Sequence, residues 1–144
     1  MVVVFDTDVV IPMILPASRS ARLFLRLTAA GHTVALSEPA LEEVAEKLRT
    51  SDRVRQWLKL PNEDIETFLA RLPTLCMITP GHVAVQGAVK DDPYDDKILA
   101  AAVESHAVYL ISEDWHLRKL KEWQGIKIMN REEFAVELDR LGVL

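Results

Sequence analysis

The chain lacks the features that would tie it to an oxidising compartment or a bilayer. Cys76 is the only cysteine in 144 residues, so no intrachain disulfide can form. It lies in the apolar run Leu75-Cys76-Met77-Ile78 with no activating partner nearby in sequence, which predicts a small core residue rather than a nucleophile. No apolar stretch is long enough to span a membrane. Val2 to Phe5 is only strand-sized, and the N-terminus lacks the basic flank of a secretory signal. The expectation is a cytoplasmic protein with no membrane partner. Positive charge is also short, since 17 Lys and Arg against 22 Asp and Glu leave a net −5. That balance is awkward for a nucleic-acid partner, which favours a basic footprint. A carboxylate cluster holding divalent cations would reverse the local sign. His32, His82, His106 and His116 are scattered and none pairs with Cys76, so nothing suits a structural zinc site. His116, close to Asp114 in sequence, reads as a surface residue. With no repeat, low-complexity run or linker, residues 1–144 are expected to form a single domain.

Strand and helix signals alternate along the chain. Val2 to Phe5 is a run of β-branched and aromatic residues, the mark of a strand buried on both faces. A loop punctuated by Pro12 and Pro16 follows. Ser18 caps a helix to about Ala30, which Gly31 ends. Thr33–Leu36 reads as a strand and Pro39–Arg49 as a helix with an apolar stripe of Leu41, Val44, Ala45 and Leu48. Asp52–Leu60 reads as a short helix with Val54, Trp57 and Leu58 inward. Asn62 is expected to cap a helix over Glu63–Leu72, followed by a strand at Leu75–Thr79. Pro80–Lys90 reads as a loop, and Asp92-Pro93-Tyr94-Asp95 as a turn into a helix over Asp96–Ser105. A strand at Val108–Ile111, a helix over Trp115–Trp123, a strand at Ile126–Met129 and a capping-box helix over Arg131–Leu141 complete the chain. This order predicts a three-layer α/β/α fold around a central parallel sheet of about five strands.

In such folds ligands bind at the carboxyl ends of the strands, which decides which acidic residues matter. Asp6 follows the first strand directly. A carboxylate there is partly desolvated and needs a reason to be present, whether as a metal ligand or as a cap. Asp114 follows the Val108–Ile111 strand with only Ser112 and Glu113 between; it reads as an N-cap of the next helix or, given its place at a second strand end, as a metal ligand. Asp96 opens an apolar helix, and its one-turn spacing from Ala100 places it at the edge of the buried face. Asp92 and Asp95 read as turn and cap residues. Glu43 borders the apolar stripe of its helix, whereas Glu42 and Glu46 read as solvated, and periodicity leaves the role of Glu43 open. Carboxylates that converge repel one another unless cations neutralise them, and hard oxygen ligands of this kind suit Mg²⁺ or Mn²⁺.

Four segments then resemble the PIN-domain family, in order and over nearly the whole chain: Val2-Val3-Val4-Phe5-Asp6-Thr7-Asp8, Leu36-Ser37-Glu38-Pro39-Ala40-Leu41-Glu42-Glu43-Val44, Asp92-Pro93-Tyr94-Asp95-Asp96-Lys97-Ile98-Leu99-Ala100, and Leu110-Ile111-Ser112-Glu113-Asp114-Trp115-His116-Leu117. The third segment, together with the tail Gly125-Ile126-Lys127-Ile128-Met129 and Glu132-Glu133-Phe134, is similar to the VapC-like branch of toxin components from toxin–antitoxin pairs. The resemblance selects Glu43 over Glu42 and Asp96 over Asp95. It implies a PIN-like fold and a ribonuclease binding one or two Mg²⁺ or Mn²⁺ ions, partnered by an antitoxin and a second copy of itself. Asp8 stands where the family often has Asn, as an extra ligand or a turn cap. Ser112 stands where a hydroxyl commonly supports the site.

The expected chemistry is metal-dependent hydrolysis of RNA phosphodiesters, with Asp6, Glu43, Asp96 and Asp114 as ligands and no side-chain nucleophile. Lys97, Arg118, Lys119 and Lys121 lie near two acidic motifs and are candidate RNA contacts. Two other readings stand beside this one. Phe5-Asp6-Thr7-Asp8 also resembles the Asp-x-Asp start of haloacid dehalogenase-like phosphatases, where the first Asp is a covalent nucleophile. That family usually continues with Gly-Thr, whereas Val9-Val10 follow here. A catalytically inactive PIN-like scaffold or binding module is the remaining alternative.

Overall fold

In the computed structural model, residues 1–83, 85 and 95–144 are described, without the side chains of Asp95 and Asp96. Strand β1 (Val2–Phe5) forms the middle of the sheet because its residues are apolar on both sides of the pleat. Val3 and Phe5 face one core, with Val34, Leu36, Tyr109 and Ile111; Val4 faces the other, with Ala35, Leu110 and Ile128. Strands β2 (Thr33–Ser37) and β4 (Tyr109–Ile111) pair with β1 in parallel on either side. β3 (Met77–Thr79) extends the sheet beyond β2, and β6 (Ile126–Met129) beyond β4. A two-residue strand, β5 (Glu122–Trp123), adds an antiparallel edge on β6, giving the order β3-β2-β1-β4-β6-β5. The architecture is the expected α/β/α one, with five parallel strands and one antiparallel edge strand.

Eight α-helices are described: α1 (Thr7–Val10), α2 (Arg19–Ala29), α3 (Glu38–Thr50), α4 (Asp52–Leu58), α5 (Asn62–Leu75), α6 (Asp95–Glu104), α7 (Trp115–Arg118) and α8 (Arg131–Arg140). Phe24 and Leu27 of α2, Val44 and Leu48 of α3, Leu72 of α5 and Phe134 and Leu138 of α8 join the first core. Ile98 to Ala102 of α6 and Leu117 of α7 join the second. Ser18, Ser37 and Asn130 cap α2, α3 and α8 through their side chains, and Glu133 completes a capping box on α8. Burial pushes the Cys76 thiol up to about 12, in keeping with a core role. No helix among the described residues is long and apolar enough to cross a membrane.

Several expectations are corrected. The segment after Asp6 is not a loop: α1 and a 3₁₀ turn (Ile11–Ile14) occupy it, because Asp6 caps α1 and Pro12 is tolerated near the start of the turn. Asn62 is the first residue of α5 rather than its cap; its side-chain oxygen accepts from Arg55 instead. The helix passes through Pro73 to Leu75, since the Cys76 N–H reaches the Leu72 carbonyl at 2.9 Å and keeps the last turn closed. The segment Trp115–Trp123 splits. Lys121 takes φ 60° and leaves the helical path, and Gln124 and Gly125 at φ 49° and 81° make the two-residue turn of a hairpin. Trp57 is not inward: Val54 and Leu58, one turn apart, form a narrow buried stripe, and Trp57 remains 57% exposed. The expectations for Asp91 to Tyr94, and for most of Pro80–Lys90, lie outside the described residues.

Candidate active site

The sheet order reverses at β1, with β2 to one side and β4 to the other. Phe5 and Ile111 are register partners, so the chain leaves β1 and β4 at the same level, as an open α/β sheet does where it binds ligands. Asp6 and Ser112 emerge there side by side. The Asp6 N–H bonds to the Ile111 carbonyl at 2.9 Å, and the Ser112 N–H to the Met129 carbonyl at 2.9 Å, which fixes both residues to the sheet.

Asp6 is buried at 4% exposure and Ser112 is fully buried. Asp6 Oδ1 accepts from the Thr7 N–H at 2.7 Å, capping α1. Its Oδ2 accepts from the Ser112 hydroxyl at 2.7 Å, and Ser112 Oγ accepts in turn from the Asp114 N–H at 3.0 Å. Asp114 Oδ1 accepts from the His116 N–H at 2.9 Å, so the half-buried Asp114 caps α7 while standing next to Asp6. Both carboxylates are therefore caps, the reading of each that the hydrogen bonds show directly. Burial pushes the Asp6 carboxyl up to about 6; the Ser112 and Thr7 hydrogen bonds pull it down, the Asp114 charge pushes it further up and Lys47 pulls it down.

Asp8 belongs to the same cluster. Its Oδ2 accepts from the Glu113 N–H at 3.2 Å, while its Oδ1 is buried with no hydrogen-bond partner. Burial, followed by the Asp6 charge, pushes it up to about 7. A buried carboxylate oxygen left without a donor is an uncommon arrangement that calls for an explanation such as an absent ion. Glu113 itself turns to α8, where it accepts from Arg131 Nε at 2.8 Å.

Helix α3 packs against both α1 and α6, so the elements bearing Asp6, Glu43 and Asp96 are in mutual contact. The Glu43 side chain is 23% exposed and pairs with Lys47, one turn on, at 3.0 Å. Lys47 also acts electrostatically on Asp6, holding its carboxyl down. Sequence reading missed Lys47, although its i,i+4 spacing from Glu43 was the available signal. Asp96 lies in the first turn of α6, and its side chain is outside the described residues. Among the described residues no three His, Cys, Asp or Glu side chains gather closely enough to hold a metal ion.

The cationic candidates differ in setting. Lys97 is exposed and lines a cleft of about 390 Å³ together with Glu42, Glu43 and Lys47. Arg118 faces Glu133 at 3.8 Å and sits 6.0 Å from the centre of the Trp115 ring. Lys119 is exposed.

Residues 2–116 match the PIN domain, and the chain belongs to that family. Members are generally nucleases and typically use divalent metal ions. Among solved structures the chain is similar to VapBC2 from Rickettsia felis, bound to a DNA fragment from their promoter. The TM-score is 0.59 at 19% identity, covering 90% of this chain and 98% of that one. At this identity the likeness establishes the fold alone. No curated protein matches the chain.

Proposed function

We propose that the chain is a metal-dependent ribonuclease. One observation carries the reading: Asp6 and Asp114 stand where the sheet order reverses, linked through Ser112, and a buried oxygen of Asp8, two residues on from Asp6, is unpartnered. Hard carboxylate donors whose charges repel one another suit Mg²⁺ or Mn²⁺. Asp6 and Asp114 would hold the ion from the sheet, and Glu43 and Asp96 from α3 and α6; Asp8 is a further donor. Such an ion, when bound, lowers the pKa of a ligated water and neutralises phosphate charge. The chain's own part is to fix the carboxylates: Thr7 N–H and Ser112 Oγ hold both oxygens of Asp6, and the His116 N–H orients Asp114.

The test is cleavage of RNA by the purified chain with Mg²⁺ or Mn²⁺, with EDTA, and by Asp6→Asn and Asp114→Asn. Activity that EDTA and both substitutions abolish is the expected result. Cleavage persisting in EDTA, or an Asp6→Asn variant as active as the wild type, would sink the proposal. A folded wild type that binds metal but cleaves nothing would favour the inactive scaffold. The phosphatase alternative gains nothing from the family match; trapping a phosphorylated Asp6 would revive it.

The likeness to VapBC2 supports a role as the toxin of a toxin–antitoxin pair acting in the cytoplasm, with a cognate antitoxin and a second copy of the chain as partners. An apolar groove of about 600 Å³ between α2 and α5, with Leu25 and Leu75 exposed at its edges, is a surface suited to another protein chain. Co-purification with the product of a neighbouring antitoxin gene, and the mass in solution, test these assignments.

A further inference from the structure

Next to the carboxylate cluster, a cleft of about 430 Å³ opens between the end of α3, helix α4 and the start of α8. The chain as a whole carries a net −5, yet Lys47, Arg53 and Arg131 line this cleft against a single carboxylate, Asp8. Lys47 and Arg131 are held at its wall by Glu43 and Glu113. Arg53 is exposed and forms no ion pair with a described residue. Trp57 lies one turn further along α4 on the same side as Arg53 and borders the cleft with 57% of its surface in water. Two residues connect the cleft to the candidate active site, namely Asp8, two residues on from Asp6 and bonded to the Glu113 N–H, and Lys47, which pairs with Glu43.

An exposed indole one turn from an unpaired guanidinium, in a groove whose other two cations are already balanced by Glu43 and Glu113, has the chemistry of a stacking platform for an unpaired base and its phosphate. A duplex keeps its bases stacked inside and leaves Trp57 nothing to stack upon. Arg53 is left to a ligand, and a nucleic-acid strand supplies a negative charge at every step together with a base for the indole. We propose that this cleft seats one nucleotide of a single-stranded RNA beside the scissile phosphate, with its base on Trp57 and its phosphate against Arg53 and Lys47. The inference rests on the ribonuclease reading and places the substrate strand on the α4 side of the site.

The test measures binding of a fluorescein-labelled, random-sequence single-stranded RNA octamer by anisotropy, with Ca²⁺ replacing Mg²⁺ to suppress cleavage. Trp57→Ala is expected to weaken binding by about tenfold, while Trp57→Phe, which keeps a ring, stays within about threefold of the wild type. Arg53→Ala should flatten the slope of log affinity against log salt by about 0.7, one phosphate contact on a single strand. Arg140→Ala, at the far end of α8, should change neither. If wild type cleaves RNA with Mg²⁺ while Trp57→Ala and Arg53→Ala bind the octamer with unchanged affinity and salt slope, the cleft proposal is overturned and the ribonuclease reading stands. If the two variants instead lose only a protein partner and keep RNA affinity, the proposal is likewise overturned. If wild type neither cleaves RNA nor binds the octamer, both readings fall.

Discussion

Replacing Asp6 by asparagine removes a charge from the centre of the site while nearly preserving the side chain's shape. Burial pushes the Asp6 carboxyl from its ordinary 3.8 to about 6. Below pH 4 the folded and unfolded chains both carry the proton, so ionisation has no effect on stability. Between pH 4 and 6 the unfolded chain releases the proton and the folded chain keeps it, and the native state loses relative stability. Above pH 6 the loss is complete, at roughly 3 kcal/mol. Asparagine never ionises and escapes this loss. It can accept from the Thr7 N–H as aspartate does, but the Ser112 hydroxyl loses its acceptor, which costs about 1 kcal/mol. The metal-free variant should therefore be more stable than wild type at pH 8 by about 2 kcal/mol, or roughly 4–8 °C in melting temperature. At pH 4 it should be less stable by about 1 kcal/mol. Thermal unfolding in EDTA at the two pH values reads both signs. Saturating Mg²⁺ should then raise the wild type, by about 2.7 kcal/mol at a hundred times its dissociation constant, and leave the variant much less affected. An Asp6→Asn protein that melts below wild type at both pH values would refute the claim that a desolvated, self-repelling carboxylate occupies this position.

Other perturbations separate support of the site from support of the fold. Ser112→Ala removes the buried hydroxyl donor to Asp6 and the part-buried acceptor for the Asp114 N–H. It should lower stability by about 2 kcal/mol at pH 8, where Asp6 is ionised, and by less at pH 4, as urea titrations would report. Gly81 has φ +76°, and an added Cβ there would stand 2.8 Å from Pro39 Cδ in the first turn of α3. Gly31 has φ +84° with nothing within 4 Å. Gly81→Ala should therefore cost about 1–2 kcal/mol more than Gly31→Ala, which carries only the backbone strain; equal losses would show that the Pro39 ring yields freely. Glu133→Ala opens the α8 capping box and should cost about 1 kcal/mol by chemical denaturation, with RNA cleavage unchanged.

Local signals were legible in the sequence wherever short-range chemistry decides the outcome. A β-branched run has one stable environment, a sheet covered on both faces, so β1 and the α/β/α layering follow from Val2 to Phe5 and the alternation after them. Caps at Ser18 and Asn130 depend on a side chain reaching an N–H three residues away. Acidic residues just past two strands marked Asp6 and Asp114 because parallel strands deliver their C-terminal ends to one edge. Sequence did not reveal that Ser112 joins the two carboxylates, that one oxygen of Asp8 is left without a donor, or that Lys47 pairs with Glu43 while acting on Asp6. Those relations depend on register across β1 and β4 and on the packing of α3 against α1. The outward placement of Trp57 and the two-residue β5 were hidden for the same reason. A helix of seven residues fits more than one buried stripe, and a two-residue strand has no periodicity at all. Only the neighbouring elements, by filling or leaving space, settle which side of such short segments meets water.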